Sequence, residues 1–147
     1  MKYILLALFS VSAVACESYH SLDCFRDVKY VRNYDADSLT FDIPNVHPIL
    51  GKKIAIRVLG VDTPEIRGET ACEKALAKEA RDYVRSLLKT AKRIDLTELG
   101  RGKYFRLTAR VSIDGKDLSG VLIKEKFAYE YWGKTKRKID WCTFRKK

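Results

Sequence analysis

The apolar positions of this chain repeat with two different periods. Leu39, Phe41 and Ile43 alternate with Ser38, Thr40 and Asp42, and Ile54, Ile56 and Val58 alternate with Ala55 and Arg57. A period of two marks half-buried strands, because successive side chains point to opposite faces. It places Arg57 on the face opposite the isoleucines, where it is either solvated or aimed at an anion. Residues 25–33 are less regular but rich in Val and Tyr and read as an earlier strand, while Pro44 and Pro48 bound a loop. The clearest alternation comes later: Leu107, Ala109, Val111 and Ile113 point one way and Arg106, Thr108, Arg110 and Ser112 the other.

Between these strands the period changes. Thr70-Ala71-Cys72-Glu73 reads as a capping box, in which the hydroxyl and the carboxylate satisfy free backbone donors at a helix start. Leu76, Ala80, Tyr83, Leu87 and Ala91 then recur at steps of three and four, and Lys89, Lys92 and Arg93 sit near the end that the helix dipole makes negative. A short strand at 94–96 and a glycine-rich turn at 100–102 follow. Asp114-Gly115 closes the last strand in a tight turn, and Asp117 can cap a second helix carrying Leu118, Val121 and Leu122. Three strands, a helix, two strands and a helix predict an α+β fold. The expected architecture is a small five-stranded OB-type barrel with a helix between its third and fourth strands and another at the C-terminus.

Lys2 followed by an apolar run ending at Ala13-Val14-Ala15 has the form of a signal peptide, and the run is too short to span a bilayer. Residues 1–15 are therefore set aside, and 16–147 are expected to form one domain, with a core at 28–131 and a basic, solvated tail at 133–147. Cys16 directly after the cut leaves a lipid-modified N-terminus, and so a lipid-anchored envelope protein, open as an alternative. The 29 basic and 19 acidic residues give a net charge of +10. Lys2 is the only charge in the leader, so cleavage lowers the excess by one, to +9. A charge of this size on an exported protein points to a polyanionic partner: nucleic acid, anionic lipid or cell-wall polymer.

The four cysteines, Cys16, Cys24, Cys72 and Cys142, suit an oxidising compartment, and four allow three pairings. Cys72 with Cys142, tying the helix start to the C-terminus, is the favoured pair, with Cys16 and Cys24 joined locally. Zinc is not indicated, because no CxxC pair exists and His20 and His47 lie far from ligand-like spacing; both read as surface residues.

The segment with the most chemistry is Ile56-Arg57-Val58-Leu59-Gly60-Val61-Asp62-Thr63-Pro64-Glu65. A strand delivers an arginine, and five residues later Pro64 stiffens a turn that holds two carboxylates. One such acid can hold a hard cation while the other takes a proton from water. Two further pieces frame it. Tyr34-Asp35-Ala36-Asp37-Ser38 puts two carboxylates before a strand, and Lys103-Tyr104-Phe105-Arg106 puts a second arginine at the start of another.

In this order, with the capped helix between the last two, the three pieces resemble the staphylococcal thermonuclease-like family over residues 28–131. The resemblance implies a secreted Ca²⁺-dependent nuclease acting on DNA and RNA with little sequence preference, working as a monomer without an obligate protein partner. It implies that Asp37 and Asp62 hold Ca²⁺ with the Thr63 carbonyl, supported from behind by Asp35. Glu65 would orient or deprotonate the attacking water, and Arg57 and Arg106 would clamp the scissile phosphate. Lys103 and Tyr104 would touch a terminal phosphate and sugar. The chain departs from the family pattern at Ser38, where threonine is usual, and at Ala36, Phe105 and Lys126, where glycine is. A non-catalytic nucleic-acid-binding OB-type module is the alternative, although such a copy would be expected to have lost one of Arg57, Asp62, Glu65 or Arg106.

Overall fold

The computed structural model describes residues 20–21, 24–103 and 106–146. The expected signal peptide, Cys16, Tyr104 and Phe105 lie outside these. The chain order is β1 (His20–Ser21), β2 (Cys24–Phe25), β3 (Lys29–Asn33), β4 (Ser38–Asp42), α1 (Pro48–Gly51), β5 (Ile54–Val58) and β6 (Val61–Asp62). Then follow α2 (Ala71–Thr90), β7 (Ile94–Arg101), β8 (Leu107–Ile113), β9 (Lys116–Asp117), α3 (Leu118–Lys124), β10 (Tyr129–Glu130) and α4 (Trp141–Lys146). The fold is thus α+β, as the patterning predicts.

The strands form one sheet in the order β1-β2-β7-β8-β5-β4-β3, with β9 on β8 and a separate β10-β6 pair. Pairing is antiparallel except between β5 and β8, whose parallel pairing is reached through β6, α2 and β7. Among the described residues the hydrogen-bonded path of the expected five-stranded OB-type barrel does not close, and it carries additional short strands. Its two ends are nevertheless one stretch of chain. β2 pairs with β7, the backbone turns at Asp27 with φ 51°, Val28 N–H donates to the Ile94 carbonyl at 2.9 Å, and β3 then pairs with β4. One bent segment thus touches both ends of the sheet without an unbroken ladder.

The alternating residues sort as predicted. Leu39, Phe41, Ile56, Val58, Ala109 and Val111 are buried, and Ser38, Thr40, Ala55 and Arg57 stand on the outer face. Helix α2 covers the core, with Thr70 Oγ1 accepting from Glu73 N at 3.1 Å. The Glu73 carboxylate reaches one residue further back than a standard box, to Glu69 N at 3.1 Å. The buried stripe is Leu76-Ala77-Ala80-Val84-Leu88, while Tyr83, Leu87 and Ala91 flank it. Steps of four from Leu76 to Leu88, with Ala77 beside the first of them, thus replace the mixed steps read from the sequence. β7 runs to Arg101 rather than ending near 96, so the expected turn at 100–102 is partly strand. A register shift between Thr97 and Gly100, with Glu98 at φ 50°, interrupts the alternation that would have shown this. The 44–52 loop contains α1, whose N-cap His47 accepts from Ile49 N through Nδ1 at 3.3 Å.

Two departures from the family pattern have different outcomes. Lys126 adopts φ 57°, the left-handed conformation for which a glycine is suited, just past α3. Ala36 is fully buried and is not among the residues of positive φ.

Residues 133–138 are exposed, but the end of the basic C-terminal segment packs on the domain. Trp141 is buried against Tyr129, with ring centroids 5.6 Å apart, and Arg145 pairs with Glu79 of α2 at 2.6 Å. A Cys72–Cys142 disulfide spans a sequence separation of 70. The pairing of Cys16 with Cys24 falls partly outside the described residues, among which no cysteine is free. A loop of this length restricts the unfolded chain by about 4 kcal/mol in the chain-entropy account. Replacing both Cys72 and Cys142 by serine should therefore lower unfolding free energy by about 2–4 kcal/mol, seen as a lower denaturant midpoint. An unchanged midpoint would exclude a stabilising role for this bridge.

Candidate active site

The turn between β3 and β4 delivers the first acids. Asn33 is buried and its Nδ2 donates to the carbonyls of Asp35 (2.8 Å) and Arg81 (2.9 Å), pinning the turn to α2. Asp35 Oδ1 accepts from the backbone of Asp37 (3.2 Å) and Ser38 (2.7 Å), which fixes the turn around Asp37. Asp37 ends 1% exposed, with Oδ1 accepting from Ser38 Oγ at 3.3 Å. Its Oδ2 is buried and, among the described residues, has no hydrogen-bond partner.

Arg57 arrives from β5, directly across from Ser38 in register. Its fork spans two carboxylates: Nη1 donates to Asp37 Oδ1 and Nη2 to Asp62 Oδ1, both at 2.7 Å. A planar guanidinium presents these two donors in a fixed fork from separate nitrogens, a geometry that a single ammonium nitrogen does not reproduce. Asp62 lies in β6, where it pairs with Tyr129 of β10, and the Tyr129 hydroxyl donates to its Oδ2 at 3.0 Å. Glu65 follows beyond the buried Thr63 and Pro64, its side chain 60% exposed.

Electrostatics follow from burial and charge density. Burial is the main cause that pushes the Asp37 carboxyl up to about 8; Asp35 and Asp62 add to it, while Arg57 and Thr63 oppose it. Burial works against the charge of Arg57, yet Asp37, Asp62 and Asp35 hold it above its ordinary value. The Tyr129 hydroxyl is raised by burial and then by Asp62.

Residues that the sequence separates widely line one cleft of about 1070 Å³: Asp35, Asp37, Arg57, Thr63, Glu65, Lys103 and Arg106. Arg106 is exposed at the start of β8, and its carbonyl accepts from Gly102 N at 2.8 Å. Tyr104 lies outside the described residues. All the other predicted site residues meet in or against this cleft, Asp62 through its bond to Arg57.

One residue at its centre was not anticipated. Lys136 Nζ lies 3.0 Å from Asp62 Oδ1 and 2.8 Å from Glu65 Oε1. Burial disfavours its charge, but bonds to Glu65 and Asp62 hold it above the ordinary lysine value. The sequence assigned this lysine to a solvated basic tail. The signal that could have found it is the Cys72–Cys142 pairing, which draws the segment just before Cys142 back toward α2. Tyr129 was missed likewise, because its partner Asp62 is 67 residues away.

The donor chemistry can be tested against a divalent cation. Among the described residues no three acidic, cysteine or histidine side chains form a metal-holding group. Two buried carboxylates do converge on Arg57, and one of their oxygens, Asp37 Oδ2, has no hydrogen-bond partner among the described residues. Hard oxygen donors with an unsatisfied buried oxygen suit a hard cation that completes its shell with water. The residues present therefore fit Ca²⁺ in kind.

An arginine fork between two aspartates lies beside an acid in a cleft whose charged lining is mainly basic. The chain belongs to the staphylococcal nuclease homologue family, whose model matches residues 55–143. That match contains Arg57, Asp62, Thr63, Glu65, Lys103, Arg106 and Lys136, and begins after the Asp35–Asp37 turn. A relative is endonuclease YncB of Bacillus subtilis (strain 168), 36% identical over 91 residues. The similarity covers 58% of this chain and 43% of that relative, so the chain spans well under half of its length.

Proposed function

We propose that this chain is an exported, Ca²⁺-dependent nuclease that hydrolyses phosphodiester bonds of DNA and RNA with little sequence preference. Residues 16–147 act as one domain and as a monomer. The observation that carries this reading is the Arg57 fork between Asp37 and Asp62, set in the same cleft as Glu65, Lys103 and Arg106. The disulfide between Cys72 and Cys142 supports export, since such bonds persist in oxidising compartments.

In this assignment Asp37 and Asp62 hold the cation together with the Thr63 carbonyl, and Asp35 keeps the turn behind them in place. When bound, Ca²⁺ supplies positive charge beside a phosphate whose oxygens become more negative as the bond breaks. Arg57 and Arg106 bind the non-bridging oxygens and stabilise the same charge, in a cleft where preorganised donors act strongly. Glu65 accepts the proton of the attacking water as its oxygen closes on phosphorus. The Lys136 ammonium now on Glu65 Oε1 must shift for that water to approach. Lys103 and Tyr104 steady the neighbouring phosphate and sugar. Contacts of this kind read backbone and not base edges, which leaves sequence preference weak.

The test is digestion of denatured DNA and of RNA by the mature protein, with Ca²⁺ or with a Ca²⁺ chelator. Both substrates should be degraded in Ca²⁺ and neither in chelator. Tight binding without cleavage in Ca²⁺ would instead identify a binding module.

A further inference from the structure

Next to the catalytic cleft lies a second cavity of about 300 Å³, which shares Tyr34, Ser38, Arg57 and Arg106 with it. Its floor follows from sheet register. Arg32 stands opposite Thr40, and Thr40 opposite Ala55, in one row across β3, β4 and β5. Arg106 immediately precedes Leu107, the partner of Ile56, so it borders Ala55 at the far end of that row. Arg57 occupies the next outward position along β5, two residues from Ala55, so the row lies roughly 7 Å from it on the same face.

Arg32 reaches this face because of a bulge. The register slips between Tyr30 and Arg32: Tyr30 faces Phe41, but Arg32, not Val31, faces Thr40. Without that extra residue Val31 would lie in the trough and Arg32 would face the buried Leu39. A bulge re-aims side chains in this manner, often beside active sites. Two arginines thus flank a floor of threonine and alanine, and among the described residues no ion pair engages either of them. Tyr34, 54% exposed, stands where this trough opens into the cleft.

We infer that Arg32 and Tyr34 form a second nucleotide subsite, holding the nucleotide of a single strand on the side of the scissile phosphate opposite Lys103. This inference rests on the nuclease reading above. The strand leaving Arg57 and Arg106 in that direction has its phosphate met by Arg32 and its base met by the Tyr34 ring. Bases of any identity stack on an aromatic face, so the subsite extends the footprint without adding sequence preference.

Binding is measured in a Glu65→Gln background by fluorescence anisotropy of a labelled single-stranded octanucleotide, alongside cleavage of the octanucleotide and of nucleoside p-nitrophenyl phosphates by the parent enzyme. Tyr34→Ala should weaken octanucleotide binding about 10- to 100-fold, the range for losing one stacked base. Tyr34→Phe, which keeps the ring, should recover most of it. Arg32→Ala should weaken binding and lower the slope of log affinity against log salt by roughly 0.7, one phosphate contact on a single strand. Both alanine variants should shrink the preference in kcat/KM for the octanucleotide over the short substrates. Wild-type octanucleotide affinity, salt slope and preference in both variants would overturn the subsite. A parent chain that binds the octanucleotide without cleaving it overturns the nuclease reading, and the subsite is then judged on binding alone. A parent chain that does neither overturns both.

Discussion

Glu65→Gln is expected to lower kcat by about two to four orders of magnitude on single-stranded DNA in saturating Ca²⁺, the usual contribution of a positioned general base. Glutamine keeps the shape and can still accept a hydrogen bond from Lys136, but it cannot take a proton from water. The side chain is 60% exposed, and its ion pair with Lys136 joins two partly solvated groups. Such a pair is worth about 0.2–1 kcal/mol, so the denaturant midpoint should scarcely move. Lys136→Ala provides the control: it removes that ion pair, together with the one to Asp62, but leaves the Glu65 carboxylate, so its kcat should fall far less. If Glu65→Gln turns over within a few-fold of the parent enzyme, the acid is not the base. If Lys136→Ala is as damaging as Glu65→Gln, the ion pair and not proton transfer is what matters.

These two residues also show where sequence reading succeeds and where it stops. Glu65 was legible because it lies three residues from Asp62 across a proline, and a local turn fixes that spacing. Arg57 was legible because a period of two decides which face of β5 it takes. Lys136 and Tyr129 were not, because what places them is the Cys72–Cys142 bridge and the pairing of β10 with β6, contacts formed across more than sixty residues. Periodicity assigns a side chain to a face but does not say which faces meet. The same limit explains β7, whose bulge at Glu98 broke the alternation, and the irregular stretch at 25–33, where a bulge and not a period of two sets the face of Arg32. The open path of the sheet was illegible for a related reason: the kink at Asp27 divides one stretch of chain between two partners, and a single non-glycine residue at positive φ leaves no compositional mark. In α2 the pattern found the right helix and nearly the right face, since positions 83 and 87 adjoin the buried 84 and 88.

Arg57→Lys should lower kcat/KM by about 10²- to 10³-fold, on the scale of removing one preorganised donor from a developing oxyanion. The substitution keeps the positive charge, so a purely coulombic role would tolerate it. What it removes is the fork. Arg57 now reaches Asp37 and Asp62 through separate nitrogens at 2.7 Å each, and an ammonium can serve one of them well but not both in the same geometry. Arg57→Ala goes further and leaves two buried acids without their shared partner, a change that costs about 3–5 kcal/mol in comparable pairs. Comparing the two variants therefore separates neutralisation from geometry. Lysine should preserve most of the folding stability and little of the activity, whereas alanine should lose both. Ca²⁺ affinity, measured by calorimetry on each, shows whether any activity loss passes through the metal carboxylates. Near-parental kcat/KM in Arg57→Lys would mean that Arg57 acts through its charge alone and that the fork across Asp37 and Asp62 is not needed for turnover.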